Sequence, residues 1–266
     1  MSVSRIKTIA IAGLLLVNAL FAVLIIRDAT ADARSERQTI ENVCAVLLAN
    51  GIMLDPDDVG ADPALRTMRT FRLLESEEAI ARAVLGDVVM TDQGVIYLYE
   101  NPDRGTAEFY SAGDFEILLN EGAMTGESGA RQTVERLLDG MGIEISGFTS
   151  DESSGSEVVT VVGAHKGTKI FNCVIEFIFN GPSLQAIRGR HITGIEPVGD
   201  DTGMLSAPTA LLRFLAAVKR GDVECENILG IEPGYQHRIV GSLGEGLAPA
   251  WRIDADSGQY IIDNYS

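Results

Sequence analysis

The sequence predicts an α+β fold, with one N-terminal transmembrane helix followed by two units in which helices cover an antiparallel sheet. Three observations carry that expectation. An uncharged run of 19 residues lies between Lys7 and Arg27. Beyond it, segments of helical and of alternating apolar period follow one another in the order helix, strands, helix, strands, twice. Between the alternating segments stand clusters of turn residues, such as Asn101-Pro102-Asp103-Arg104-Gly105 and Asn180-Gly181-Pro182.

The apolar run, "TIAIAGLLLVNALFAVLII" over residues 8–26, makes a helix of about 28 Å against a hydrocarbon core of about 30 Å. A cleaved leader is the competing reading, because Ala29-Thr30-Ala31 fits a small-x-small cleavage site. The length of the run and its closure by Arg27 and Asp28 favour an anchor. Basic residues flank the span on both sides (Arg5 and Lys7 before it; Arg27, Arg34 and Arg37 after it), so their count leaves the orientation open. A short tail, residues 1–7, ahead of a long acidic domain is the layout of a signal anchor. The expectation is therefore a single-pass protein of the cell membrane, its N-terminus cytoplasmic and its bulk extracytoplasmic. Asn18, in mid-span, either bonds to a neighbouring helix or is tolerated as a lone amide.

After the span, "DATADARSERQTIENVCAVLLANGI" places Ile40, Val43, Val46 and Leu47 on one helical stripe and stops at Asn50-Gly51, a stem helix growing out of the anchor. Asp55-Pro56 and Asp62-Pro63 punctuate a loop, and "TMRTFRLL" reads as a strand. "SEEAIARAVLG" reads as a helix capped by Ser76, with Glu77 and Glu78 complementing its dipole. "GVIYLYE" and "TAEFYS" form a hairpin, with "GDFEILLN" as a further strand. These, with the stem helix, make the first unit, residues 27–125.

The second unit, 126–266, opens with the helix "ARQTVERLLDGMGIEI", which ends at Gly140 or Gly142 and passes into a strand. "SDESSGSE" at 150–157 is expected as an exposed loop. Strands follow at "SEVVTVVGA", "GTKIFNCVIEFIFN" and "SLQAIRGRHITG". The helix "SAPTALLRFLAAVKRGD" sets Leu211, Leu212, Leu215 and Ala216 on one face. "ILGIEPGYQHRIV" precedes a closing hairpin in which Trp251 and Ile253, then Tyr260 and Ile262, alternate with polar residues around Asp254 to Gly258. A lone hairpin is marginal in water, so its apolar face is expected to dock on the core.

The formal charge of −17 argues against a nucleic-acid partner, since 21 scattered Lys and Arg supply no phosphate-binding patch. Cys44, Cys173 and Cys225 have no CxxC spacing and read as small buried hydrophobes. His165, His191 and His237 follow no ligand spacing. "DPDDVGADPALR" resembles a calcium loop at Asp55, Asp57 and Gly60, yet has Val59 and Arg66 where ligands belong. "GSLGEG" lacks the lysine of a phosphate loop. No catalytic residue, cofactor site or metal site is therefore expected. A hydrolase would have to assemble its groups from "GAHKGTK", "RGRHITG" or the acidic loops.

The span "SRIKTIAIAGLLLVNALFAVLI" with its basic lead, "VCAVLLANGIML", "PTALLRFLAAV", "GYQHRI", "PAWRI" and "GQYIIDNY" together resemble the YycI family, relatives of YycH. These are membrane-anchored regulators of the WalK and WalR two-component system in low-GC Gram-positive bacteria. The resemblance implies a protein without catalytic activity that associates with a WalK-type sensor histidine kinase in the bilayer and tunes its output to cell-wall homeostasis. It also implies a YycH-like partner and a transmembrane helix that takes part in kinase contact. Pro249, Trp251 and Ile253 on one strand, with Tyr260 and Ile262 on the other, match the family's closing pattern, where their implied role is structural. The end also resembles the hairpin of PepSY-type modules, which gives the alternative: an extracytoplasmic ligand-binding or inhibitory module with no kinase contact.

Overall fold

The computed structural model describes residues 34–60, 62–126, 129–153, 155–199, 203–241 and 244–264 of the 266. The expected span at 8–26, and Asn18 within it, lie outside the described residues. No described helix is long and apolar enough to cross a membrane.

The fold is mixed α+β, dominated by antiparallel sheet. Four α-helices are described: α1 (34–48), α2 (Leu74–Leu85), α3 (Ala130–Met141) and α4 (Ala207–Arg220). A 3-10 turn occupies Pro56–Asp58. The strands are β1 (Met68–Phe71), β2 (Val89–Asp92), β3 (Ile96–Asn101), β4 (Gly105–Tyr110), β5 (Asp114–Leu119), β6 (Ile145–Ser153), β7 (Ser156–His165), β8 (Thr168–Asn180), β9 (Ser183–Arg190), β10 (Gly194–Pro197), β11 (Ile228–Ile239), β12 (Glu245–Ala255) and β13 (Gly258–Asp263).

Two bodies emerge from the pairing. The first is an eight-stranded sheet, β6-β7-β8-β9-β5-β4-β3-β2, in which every neighbouring pair is antiparallel. It is built from two copies of one motif, a helix followed by four strands: α2 with β2–β5 and α3 with β6–β9. The last strands of the copies pair with each other, with Ile117 opposite Ile187. Both helices pack on the same face and against each other. The stripes Ile80, Ala81, Val84, Leu85 and Val134, Leu137, Leu138, Met141 close over Phe109, Phe115, Ile117, Val161, Ile175 and Phe177 in one core.

The second body is the sheet β10-β1-β12-β11, with β13 on β12. Its core combines Ile40, Val43, Cys44 and Leu47 of α1, Ala210, Leu211, Phe214 and Leu215 of α4, and Ile231, Trp251 and Ile253 of the strands. The stem helix thus packs on the C-terminal strands rather than on the sheet that follows it in sequence. β1 and β10 pair with each other, Phe71 opposite Gly194. The chain therefore enters and leaves the eight-stranded body, residues 73–191, through adjacent strands. A parallel contact of Tyr235 with Ile170 joins the two sheets. The Asn172 amide extends it, donating to the His237 carbonyl (2.8 Å) and accepting from its N–H (2.9 Å).

Several local expectations are corrected. "SDESSGSE" is the end of β6 turning into β7 as a hairpin, Ser153 opposite Ser156, and not a loop. The inward stripe of α1 contains Cys44, while Val46 is exposed. On α4, Phe214 points inward; Leu212 and Ala216 face outward. Ser76 lies inside α2 and does not cap it, for the helix starts at Leu74. Glu77 is buried, taken there by a two-pronged ion pair with Arg72 (2.6 and 2.8 Å).

Candidate interaction groove

Along the second body runs an open groove of about 770 Å3, built by three separate stretches of chain. One wall is the outward face of α1, Glu41, Ala45 and Leu48, adjacent to the stripe that α1 buries. The helix ends in a tight reversal, with Asn50 Nδ2 donating to the Val46 carbonyl and Ile52 N–H to that of Leu47. Gly51, at φ +83°, supplies the left-handed residue that this ending needs. The reversal brings Met53 alongside β11, where it donates to the Glu226 carbonyl (2.8 Å) and accepts from Ile228 N–H (2.9 Å). Leu54 and the Pro56–Asp58 turn form the far wall, Asn227 to Leu229 the floor, and Asp256 of the β12–β13 turn one end.

The lining is apolar and unusually open. Leu48, Met53 and Leu229 are 64%, 56% and 67% exposed. Three large apolar side chains left in water around one concavity mark an interaction surface more strongly than scattered exposed leucines would. Around them stand Glu41, Asp55, Asp58 and Asp256, and no basic residue is among the lining side chains. Arg37, one turn along α1, is already committed to Glu41 (3.3 Å) and Asp57 (2.9 Å).

Two of these groups have a set protonation state. Burial works to raise the Asp256 pKa, but the Asn227 amide and the N–H groups of Glu226 and Asn227 outweigh it and hold the carboxyl below its ordinary value. Cys44, on the α1 wall, is pushed up by burial and by the charges of Asp55 and Glu41, which disfavours its thiolate. The other thiols behave alike. Burial takes Cys173 to about 12, and burial with Asp256 takes Cys225 to about 11.

Two of the three histidines lie near Thr70. His237 Nε2 lies 3.3 Å from Thr70 Oγ1, and His191 shares with Thr70 and Glu245 a cavity of about 30 Å3. That space is about the size of one water molecule. Burial keeps both rings neutral, His191 at about 4. His165 ends β7, away from them. Among the described residues no three His, Cys, Asp or Glu side chains gather as metal ligands. Asp55 accepts from Asp57 N–H to start the 3-10 turn.

The closing hairpin lies at the centre of the second body. Trp251 is fully buried, opposite Pro233 on β11 and Ile262 on β13, and its Nε1 donates to the Leu205 carbonyl (2.7 Å). Ile253 is buried opposite Tyr260, whose ring meets that of Phe214 with centroids 5.4 Å apart. The strands run to Ala255 and from Gly258, so the turn is the pair Asp256-Ser257 and not the longer loop expected. Pro249 faces Tyr235. The groove itself escaped sequence reading because about 170 residues of chain separate Asp58 from Asn227.

No family model matches the chain, and no curated protein matches it. In fold comparisons the chain is similar to an uncharacterized protein from Eubacterium rectale, with TM-score 0.46 and 9% identity over 74% of this chain and 81% of that one. It is also similar to the C-terminal domain of Bacillus megaterium YpeB, with TM-score 0.35 and 12% identity over 73% of this chain and 92% of that one.

Proposed function

We propose that this chain is a membrane-anchored, non-catalytic regulator that acts on a WalK-type sensor histidine kinase, together with a YycH-like partner, through its span and through extracytoplasmic contacts. The observation that supports the reading is the open apolar groove on α1, the helix that follows the expected span in sequence. A contact surface on the element next to the anchor suits a protein whose partner lies in the same bilayer. The disfavoured thiolates of Cys44, Cys173 and Cys225 and the small cavity beside His191 suit a role in binding.

A second reading is an extracytoplasmic ligand-binding or PepSY-like inhibitory module with no kinase contact. It is favoured by the groove's volume, which falls within the range of small-ligand sites.

Detergent co-purification separates the two. The full chain, and residues 1–35 fused to an inert domain, are each co-expressed with a WalK-type kinase. Retention of the kinase by both is the expected outcome, with the span as the primary contact. Retention by neither overturns the regulatory reading and leaves the module.

A further inference from the structure

We infer that the groove between α1 and β11 holds a basic amphipathic segment of a partner protein, with apolar side chains seated on Leu48, Met53 and Leu229 and Lys or Arg side chains reaching the surrounding carboxylates. The inference rests on the reading of the chain as an interaction protein and names the chemistry of what it binds.

Charge complementarity selects this occupant. Four carboxylates flank the apolar strip; Arg37 engages one of them, Glu41, and the lining offers no cation to Asp55, Asp58 and Asp256. A neutral apolar peptide would bury part of that rim without compensation, and an acidic one would add repulsion to a chain already at −17. A basic segment exchanges water around the carboxylates for charge-assisted hydrogen bonds. It also gains from steering, because the negative field of the whole chain draws it in. A second copy of this chain brings the same acidic rim to the contact, so self-association through the groove is disfavoured by the same charges. Asp58 is the most available partner for a cation: among the described residues its side chain accepts no hydrogen bond, whereas Asp55 starts the 3-10 turn and Asp256 is held by Glu226 and Asn227.

The test uses the full chain in nanodiscs of zwitterionic lipid, so that a cationic peptide finds no anionic bilayer to bind. Three synthetic 18-residue helical peptides serve as probes: one of Leu and Lys, one with the same Leu pattern and Glu for Lys, and one of Lys and Ser. The Leu/Lys peptide is expected to bind at least tenfold more tightly than either control, with affinity falling as salt is raised. Leu48→Glu with Leu229→Glu, both at exposed positions, should weaken it tenfold or more, and Asp58→Lys several-fold.

Equal binding of the Glu peptide, or indifference to Leu48→Glu and Leu229→Glu, overturns the inference. So does occupancy of the groove by residues 1–33 of the same chain, seen as no binding of any of the three peptides, or by a second copy, seen as a dimer that Leu48→Glu and Leu229→Glu dissociate. Failure of the regulatory reading looks different: the peptide binds as expected while the kinase is not retained. Kinase retained as well by Leu48→Glu, with no peptide binding, removes the groove and leaves the regulatory reading in place.

Discussion

Trp251 shows how one side chain holds several elements. Its ring is flanked by Pro233 and Ile262 on the adjoining strands, and its indole N–H ends on the carbonyl just ahead of α4. Replacing it with Ala empties a fully buried site in a core with little freedom to collapse. Trp251→Ala should therefore lower the unfolding free energy by about 3–5 kcal/mol, read by urea denaturation followed by circular dichroism. Unchanged stability would show that the second body does not depend on this residue. Two residues earlier, Pro249 illustrates a different economy. β12 is paired with β1 as far as Leu247 and with β13 from Ala250, so a residue without an N–H stands where the strand changes partner. Glu77 was legible as a helix acid but not as a buried one, because nothing local announces that Arg72 will reach back to it.

The elements themselves were mostly legible where local physics decides them. α3 and α4 end at Gly142 and Gly221, both in the left-handed region, as their sequences suggested. The hairpins at Asn101–Gly105 and Asn180-Gly181-Pro182 have their turn residues in place. What failed was any feature set by a partner distant in sequence. β2, exposed along its whole length at the sheet edge, has no apolar alternation to reveal it. The end of β6 looks like a polar loop because it too is an edge strand, paired only with β7. The join between β8 and β11 depends on Asn172, whose amide imitates one step of a β-ladder. Asn172→Leu would leave the His237 N–H and carbonyl without these partners, and should cost about 2 kcal/mol. Hydrogen exchange is expected to show faster exchange at His237 while Trp251 and β13 keep their protection; uniform protection would relieve Asn172 of that role.

At the scale of the molecule, the two histidines near the seam tie stability to pH. His191 has a folded-state pKa of about 4 against an ordinary 6.5, and that of His237 is also lowered. The folded chain thus binds fewer protons than the unfolded chain between those values. The contribution is complete above pH 6.5 and is lost as the pH falls toward 4. For His191 alone the loss at pH 5 is about 2 kcal/mol. Protonation of carboxylates on an acidic chain acts in the opposite sense, so the comparison to make is the wild type against His191→Phe. The variant should lose less stability between pH 7.5 and pH 5, and parallel losses would dismiss the histidine. The expected general composition, helices over antiparallel sheet, is what the molecule has. The division of its cores was not legible, because α1 meets α4 and β11–β13 across more than 150 residues of intervening chain.

That intervening chain leaves and returns through β1 and β10, which lie side by side with Phe71 opposite Gly194. In topological terms residues 73–191 are an insert whose two ends already touch, so the chain passes through the eight-stranded body and comes back to the strand it left. The groove lies wholly outside the insert, on residues 41–58, 227–229 and 256. Substitutions in the eight-stranded platform and in the apolar strip can therefore be made separately, within one continuous chain, wherever the join of Ile170 and Asn172 to β11 is kept.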